Sequence, residues 1–140
     1  MRQLNSGFRL GYLWIGVTIA LGAACSGDNP AGASRFSIEG SWDLGLGLTE
    51  YVVALNESGG NVNGTGTHTY TEAYDSAGAI QFRERTVPAT VSGAMRGDSV
   101  FLTFGSANGQ LLFNGAFANA NVISGVLPQS QNAGAYMFRR

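Results

Sequence analysis

The residues best suited to binding chemistry form a short alternating row around the only histidine of the chain. His68, Tyr70, Glu72 and Tyr74 lie two residues apart, so in an extended segment they share one face, and threonines occupy the other. An imidazole, a carboxylate and two phenols on one face could fix the orientation of a ligand in an otherwise apolar cup. The row is therefore the candidate ligand-binding site.

A hairpin near Ala77 would bring a second carboxylate to this row. A hairpin centred there pairs Tyr70 with Glu84 and Glu72 with Phe82. Glu84 therefore completes the candidate ligand-binding set. Two interpretations remain open at this point. The row lies at the mouth of a folded domain, or the hairpin projects beyond it and the row is solvated.

The same residues are poorly arranged for catalysis or for metal binding. His68 and Glu72 are four positions apart, which is about 13 Å along a strand and too far for one metal ion. The chain contains no metalloprotease, nucleophile-elbow or phosphate-loop motif. Eight arginines oppose nine acids, so no basic stripe is available for nucleic acid. We expect no enzyme, no metal, no cofactor and no nucleic-acid partner.

The single cysteine lies where an apolar N-terminal segment ends. Arg2 and Arg9 make the first nine residues basic, and residues 10–24 are apolar. About 15 apolar residues are short for a transmembrane helix and typical of a signal peptide. Small residues then lead directly to Cys25.

This N-terminal segment resembles the signal of bacterial lipoproteins. The resemblance implies cleavage before Cys25, a diacylglycerol and a further acyl chain such as palmitate on that residue, and anchoring to a membrane of the cell envelope. Ser26 in the next position implies the outer membrane. The alternatives are an ordinary secretory signal cut at the same place and, less compatible with the short apolar run, an uncleaved membrane helix.

These features divide the chain into three parts. Residues 1–24 are predicted to be the signal peptide. Residues 25–35 are predicted to be the lipidated cysteine and a flexible tether, because the segment is small, polar and contains Gly and Pro. Residues 36–140 are predicted to fold as one domain.

Apolar and polar residues alternate with a period of two throughout this last part, and turn signals recur at short intervals. This pattern is typical of an all-β sandwich or barrel. An even number of strands lets an up-and-down antiparallel barrel close with its first and last strands paired. The predicted strands are eight and cover residues 38–48, 50–57, 61–74, 79–96, 99–106, 109–118, 121–127 and 134–140.

Local signals refine this prediction. Asn108-Gly109 predicts a type I′ turn. The apolar positions change parity at Pro88, which predicts a β-bulge within the fourth strand. Glycine recurs after Asn or Ser at residues 64, 93, 115 and 125, which predicts close strand approach in a strongly curved sheet.

Gly40-Ser41-Trp42 opens the first strand and resembles the G-x-W signature of the lipocalins and their calycin relatives. That resemblance implies an eight-stranded barrel in which a basic residue of the last strand packs across the Trp ring. Arg139 or Arg140 is the expected partner of Trp42. Core packing of Trp42 with an exposed pair of C-terminal arginines is the alternative.

Together these features predict a membrane-anchored bacterial envelope lipoprotein. The first expected function is non-catalytic binding of a small hydrophobic ligand inside the barrel. The alternative is a protein–protein interaction or structural module with a filled barrel core. An interior cavity of at least about 300 Å³ would favour the first function. A solid core with an exposed apolar patch would favour the second.

Overall fold

The computed structural model describes residues 34–140, which form eight antiparallel strands and one turn of 3₁₀ helix at Pro128–Ser130. The predicted all-β fold is confirmed. Seven of the strands lie within two residues of their predicted bounds. The strands are β1 Gly40–Gly45, β2 Thr49–Ser58, β3 Asn61–Ser76, β4 Ala79–Arg96, β5 Ser99–Ser106, β6 Gly109–Asn119, β7 Val122–Leu127 and β8 Ala133–Arg139.

The strands form a closed up-and-down barrel in which each pairs with its neighbours in sequence and β8 returns to β1. Trp42 pairs with Arg139, and Leu44 pairs with Met137. Closure satisfies the backbone groups that an open sheet would leave at its two edges. The predicted architecture is therefore confirmed.

Large apolar side chains fill the barrel interior. Trp42, Phe104 and Phe113 are fully buried, and aliphatic side chains from every strand pack between them. Each such buried side chain stabilises the fold by about 1.5–3 kcal/mol relative to an exposed one. The barrel is therefore held together by a packed core.

Glycines allow the sheet to curve this tightly, as their recurrence predicted. A Cβ built on Gly66 would collide with the carbonyl oxygen of Val52 on the neighbouring strand. A Cβ on Gly93 would collide in the same way with the carbonyl of Phe101. Only a residue without a side chain permits this approach.

Two turns differ from their predictions. The β3–β4 loop consists of two residues, Ala77 and Gly78, with φ of 55° and 79°, as a type I′ turn requires. The hairpin centre therefore lies half a residue later than predicted, and the predicted pairings of Tyr70 with Glu84 and of Glu72 with Phe82 are wrong. In the β5–β6 hairpin, Ser106 pairs with Gly109 around Ala107-Asn108, and of the two residues predicted to form the turn only Gly109 has a positive φ. The predicted type I′ turn at Asn108-Gly109 is wrong.

The predicted bulge at Pro88 is also wrong. Pro88 pairs with Thr67, and the β3–β4 register runs without a shift from Asn61 to Ser76. The parity of the apolar residues changes because the apolar side chains move from one face of the ribbon to the other. A register shift does occur between Phe117 and Asn119, in β6.

Strand β1 is shorter than predicted at both ends. Gly47 has a φ of 71°, and the Leu46 amide donates to the Thr49 carbonyl, so the chain turns there. Leu48, which was predicted to continue the apolar face, consequently lies on the turn and is 80% exposed.

Candidate functional site

The β3–β4 hairpin extends well beyond the barrel. Pairing of β3 with β2 ends at Tyr70, and pairing of β4 with β5 begins only at Ala89. We call residues 70–85 the arm. Six residue pairs lie beyond its base, so it projects by about 20 Å at roughly 3.4 Å per residue. The arm leaves the barrel at the end formed by the β1–β2, β5–β6 and β7–β8 loops, which we call the mouth.

His68 closes the mouth just below the arm. Its side chain is only 4% exposed and stacks on Tyr51, with ring centroids 4.1 Å apart and planes 6° from parallel. Its Nε2 lies 2.7 Å from Thr49 Oγ1, and its Nδ1 lies 2.9 Å from Ser106 Oγ. Both ring nitrogens therefore have hydroxyl partners.

The hydrogen bonds around His68 assign its neutral tautomer. The Thr49 hydroxyl donates to the Thr69 carbonyl, so it accepts from Nε2–H of the ring, and Nδ1 is left to accept from Ser106. Burial lowers the pKa of His68 below its ordinary value of 6.5. Burial also raises the pKa of Tyr51, against the opposing effect of a hydrogen bond with Ser106.

The contacts of His68 differ from those of a Ser-His-Asp triad. Both of its ring nitrogens contact neutral hydroxyl groups, whereas the triad has a carboxylate beside one of them. These hydrogen bonds satisfy both nitrogens of the buried His68 ring and connect β3 to β2 and β5 at the mouth.

The arm has two chemically different faces. The inner face continues the direction of the barrel interior and is polar. Glu72 accepts from Arg83 and Arg85, at 2.8 Å and 3.0 Å, and the Arg83 guanidinium lies 4.8 Å from the ring centroid of Tyr74. The hydrogen bonds from Arg85 and Arg83 lower the pKa of Glu72. The two arginines of the inner face therefore share one carboxylate.

The outer face of the arm continues the outer wall of the barrel and is apolar and acidic. Ile80 and Phe82 are 72% and 71% exposed. Glu84 and Asp75 share this face, and neither has an ion-pair partner among residues 34–140. At the base of the arm, a surface groove of about 350 Å³ joins this face to the exposed Leu48. The outer face of the arm therefore presents two large apolar side chains beside two carboxylates.

The structure distributes the predicted ligand-binding residues over three places. His68 lies inside the mouth, and Tyr70, Glu72 and Tyr74 follow the inner face of the arm. Glu84 lies on the outer face, because Tyr70 pairs with Arg85. These residues consequently do not line one common pocket.

Sequence reasoning missed the partners of these residues. Thr49 and Ser106 are 19 and 38 residues from His68, and no local pattern connects them to it. The exposed pair Ile80 and Phe82 did give a signal, because it caused the parity change that was interpreted as a bulge. An amphipathic ribbon beyond the barrel explains that signal without any irregularity in pairing.

The opposite end of the barrel is closed by the N-terminal part of the described chain. The Arg139 guanidinium lies 4.6 Å from the ring centroid of Trp42 and donates to the carbonyls of Ser37, Glu39 and Ala120. Arg139 is therefore the basic residue that crosses the Trp ring. Arg140 instead pairs with Asp43 and Glu50 on the outer wall. Gly40, with a φ of 123°, leaves room for the Arg139 guanidinium.

Residues 34–36 are fixed to this closed end. Asp98 accepts from the Ser34 hydroxyl, the Arg35 amide and the Arg35 guanidinium. Arg35 lowers the pKa of Asp98 through these hydrogen bonds. Phe36 packs on Phe117 with ring centroids 5.4 Å apart. The chain thus leaves the barrel towards residue 33 at the end opposite the arm. Cys25 and the predicted signal peptide lie outside the described residues.

A second surface hollow, of about 520 Å³, lies at this closed end beside Phe36, Glu57 and Met95. Both hollows are open to solvent and outside the packed core. Within residues 34–140, no three His, Cys, Asp or Glu side chains are grouped closely enough to hold a metal ion. The same residues contain no helix long and apolar enough to cross a membrane.

Comparisons with protein-family models, with curated proteins and with solved structures find no match to this chain.

Proposed function

We propose that this chain is a non-catalytic interaction module of the bacterial cell envelope, in which a filled barrel presents the arm to a partner protein. The observation that carries the proposal is the pair Ile80 and Phe82, exposed on a ribbon that leaves a fully packed barrel. Isolated two-stranded ribbons are marginally stable in water. A ribbon with an exposed apolar face therefore gains stability when it binds.

The packed interior supports this function over the binding of an apolar ligand in the barrel. A drug-sized apolar ligand needs about 300 Å³ of enclosed space. Trp42, Phe104 and Phe113 occupy the centre of this barrel, and His68 with Tyr51 closes its mouth. A carrier of small hydrophobic molecules would have to expel several of these side chains.

The position of Ser34, the first described residue, supports an anchored module. We propose that Cys25 carries the lipid and that residues 26–33 link it to Ser34 and Arg35, which are held at the closed end of the barrel by Asp98. A flexible linker of eight residues reaches about 16 Å on average. Strand β3 covers 16 residues from the closed end to the arm tip, or about 50 Å. The arm tip then lies far from the point where the chain leaves towards the outer membrane.

The proposal is tested in bacterial envelopes with the full chain and a variant whose residues 71–84 are replaced by Asn-Gly. This replacement joins Tyr70 to Arg85 through a two-residue turn that suits a hairpin. We expect the full chain to migrate in native gels as a complex larger than the monomer. We expect the armless variant to migrate as a monomer with an unchanged melting temperature.

Mass spectrometry of the purified mature chain tests the other two parts of the proposal. We expect loss of residues 1–24 with added acyl mass on Cys25, and loss of that mass in Cys25→Ser. A complex of unchanged size without the arm, or a hydrophobic molecule bound stoichiometrically to the barrel, would overturn the interaction function.

A further inference from the structure

The outer edge of β4 is open along the arm. Residues 79–87 pair with β3 on one side only, because β5 ends at Ser106, opposite Ala89. The backbone groups on the other side of this edge have no strand partner. An open edge of this kind accepts an added strand from another polypeptide. At the base of the edge, Pro88 lacks an N–H group and limits such pairing to the arm.

The side chains beside this edge define what the added strand must contain. Directly opposed residues of neighbouring antiparallel strands lie on the same face of the sheet. A residue opposite Phe82 or Ile80 therefore meets an exposed apolar side chain. A residue opposite Glu84 meets a carboxylate without an ion-pair partner among residues 34–140. On the inner face the arginines already share Glu72.

A second copy of this chain does not supply these groups in β4-to-β4 pairing. The outer-face positions of β4 along the open edge are Ile80, Phe82, Glu84 and Thr86, and none is basic. Pairing two such edges leaves both Glu84 carboxylates without a cation. An anionic membrane surface is disfavoured for the same reason, because the outer face carries Glu84 and Asp75 and no arginine.

We infer that the open edge of β4 at residues 79–87 binds an extended segment of a partner protein that places Lys or Arg beside Glu84 and an apolar residue beside Phe82. This inference rests on the proposed interaction function and names the chemistry of the partner. Backbone hydrogen bonds provide the pairing, and the outer-face side chains provide selectivity.

The test uses a nine-residue probe peptide in which Val and Lys alternate at the odd positions and Ser occupies the even positions. The control peptide has Glu in place of Lys. Binding is measured by fluorescence anisotropy with the folded full-length protein. We expect the Lys peptide to bind at least tenfold more tightly than the Glu peptide, with weaker binding at high salt. Methylation of alternate backbone nitrogens of the Lys peptide should abolish its binding.

Matched variants locate the binding surface. Phe82→Ser should weaken binding at least tenfold, whereas Phe101→Ser, at an exposed aromatic residue of the barrel wall, should leave it unchanged. Glu84→Gln should weaken binding about threefold, as expected for one exposed ion pair. Glu39→Gln makes the same charge change at the closed end and should have no effect.

Several results would overturn the inference. For the peptides, these results are equal affinity for the Lys and Glu peptides, tight binding of the methylated peptide, or no binding of the Lys peptide at about 1 mM. For the variants, the result is a loss of affinity in Phe101→Ser and Glu39→Gln equal to that in Phe82→Ser and Glu84→Gln. Sedimentation that shows a dimer lost in Phe82→Ser would assign the edge to a second copy. Binding to phosphatidylglycerol vesicles through Phe82 would assign it to a membrane.

If the armless variant still forms its native complex, the interaction function itself fails. If the armless variant loses the complex but Glu84→Gln and Phe82→Ser retain it, only the partner chemistry fails.

Discussion

The strands β3 and β4 pass through two regions with opposite amphipathicity. In the barrel their inward side chains, such as Val62 and Val91, are buried and their outward ones are polar. In the arm the inward side chains are charged, and the outward ones include Ile80 and Phe82. The pairing register is the same in both regions. The two regions therefore differ in whether other strands cover the inner face of the ribbon, and not in how β3 and β4 pair.

The two regions of the ribbon differ in what covers their apolar faces. Within the barrel, its apolar face is covered by the other six strands, and burial stabilises the fold. In the arm no other strand covers either face. Apolar residues there add little to folding and remain available for a partner. Substitutions in the two regions should consequently have very different effects on stability.

The largest expected effect comes from removing the same side chain in both regions. Phe104→Ala should lower the free energy of unfolding by about 3–5 kcal/mol, because it opens a cavity in the packed core. Phe82→Ala should change it by about 0.5 kcal/mol or less, since its ring is exposed. Urea unfolding followed by Trp fluorescence measures both values. Similar losses for the two variants would contradict the contrast between barrel and arm.

A smaller effect is expected where the barrel curvature depends on a missing side chain. Gly66→Ala should lower the free energy of unfolding by about 1–3 kcal/mol, because its Cβ would collide with the Val52 carbonyl. Gly134→Ala is the control, since a Cβ there meets no atom within 4 Å. Calorimetry should show a lowered melting temperature for the first variant only. An unchanged Gly66→Ala would show that the wall can relax locally.

Two arginines that lie over aromatic rings offer a third comparison. Arg139→Met should cost about 2 kcal/mol, because Arg139 also donates to three backbone carbonyls at the closed end. Arg83→Met should cost much less, since the ion pair of Arg83 with Glu72 is solvated. Denaturant titration of both variants checks this ranking. The reverse ranking would mean that the arm contributes to folding as strongly as the barrel end.

The smallest expected effect is a different pH response in each region. Burial lowers the pKa of His68 below 6.5, so the unfolded chain binds this proton more readily and stability falls as the pH falls from about 6.5 through the lowered pKa. The pKa of Glu72 is also lowered, because Arg85 and Arg83 stabilise its carboxylate. This stabilisation of the arm is fully present above about pH 4.5 and is lost as the pH falls through the lowered pKa.

Unfolding measured between pH 7.5 and pH 5 should therefore show an acid-dependent loss in the wild type that is absent in His68→Gln. Glu72→Gln should retain this loss, because Glu72 stays ionised over that range. An unchanged pH profile in His68→Gln would show that the mouth histidine does not couple to folding.

Local patterns in the sequence were sufficient to predict the strands and the closed barrel. Alternation with a period of two sets which side chains can be buried together, and eight strands with short turns leave closure as the arrangement without exposed edges. The crossing of the Trp42 ring by a basic residue of the last strand was expected only from the resemblance of Gly40-Ser41-Trp42 to the lipocalin signature, with Arg139 as one of two choices.

The candidate site was predicted less completely. A single two-residue turn at Ala77-Gly78 shifts the register by one residue, which moves Glu84 from the expected face to the other. The partners of His68 come from β2 and β5, so they depend on how distant strands align. Such contacts have no local sequence signal.

The sequence by itself determined the strand order and the glycines that permit curvature, because these depend on neighbours in the chain and on backbone sterics. The tertiary structure alone decided where the barrel ends and the arm begins. That boundary depends on the unequal lengths of β2, β4 and β5 around the closed sheet, and it leaves Ile80 and Phe82 without a covering strand. The same alternating pattern thus encodes a buried core in one part of a strand and an exposed apolar surface in the other.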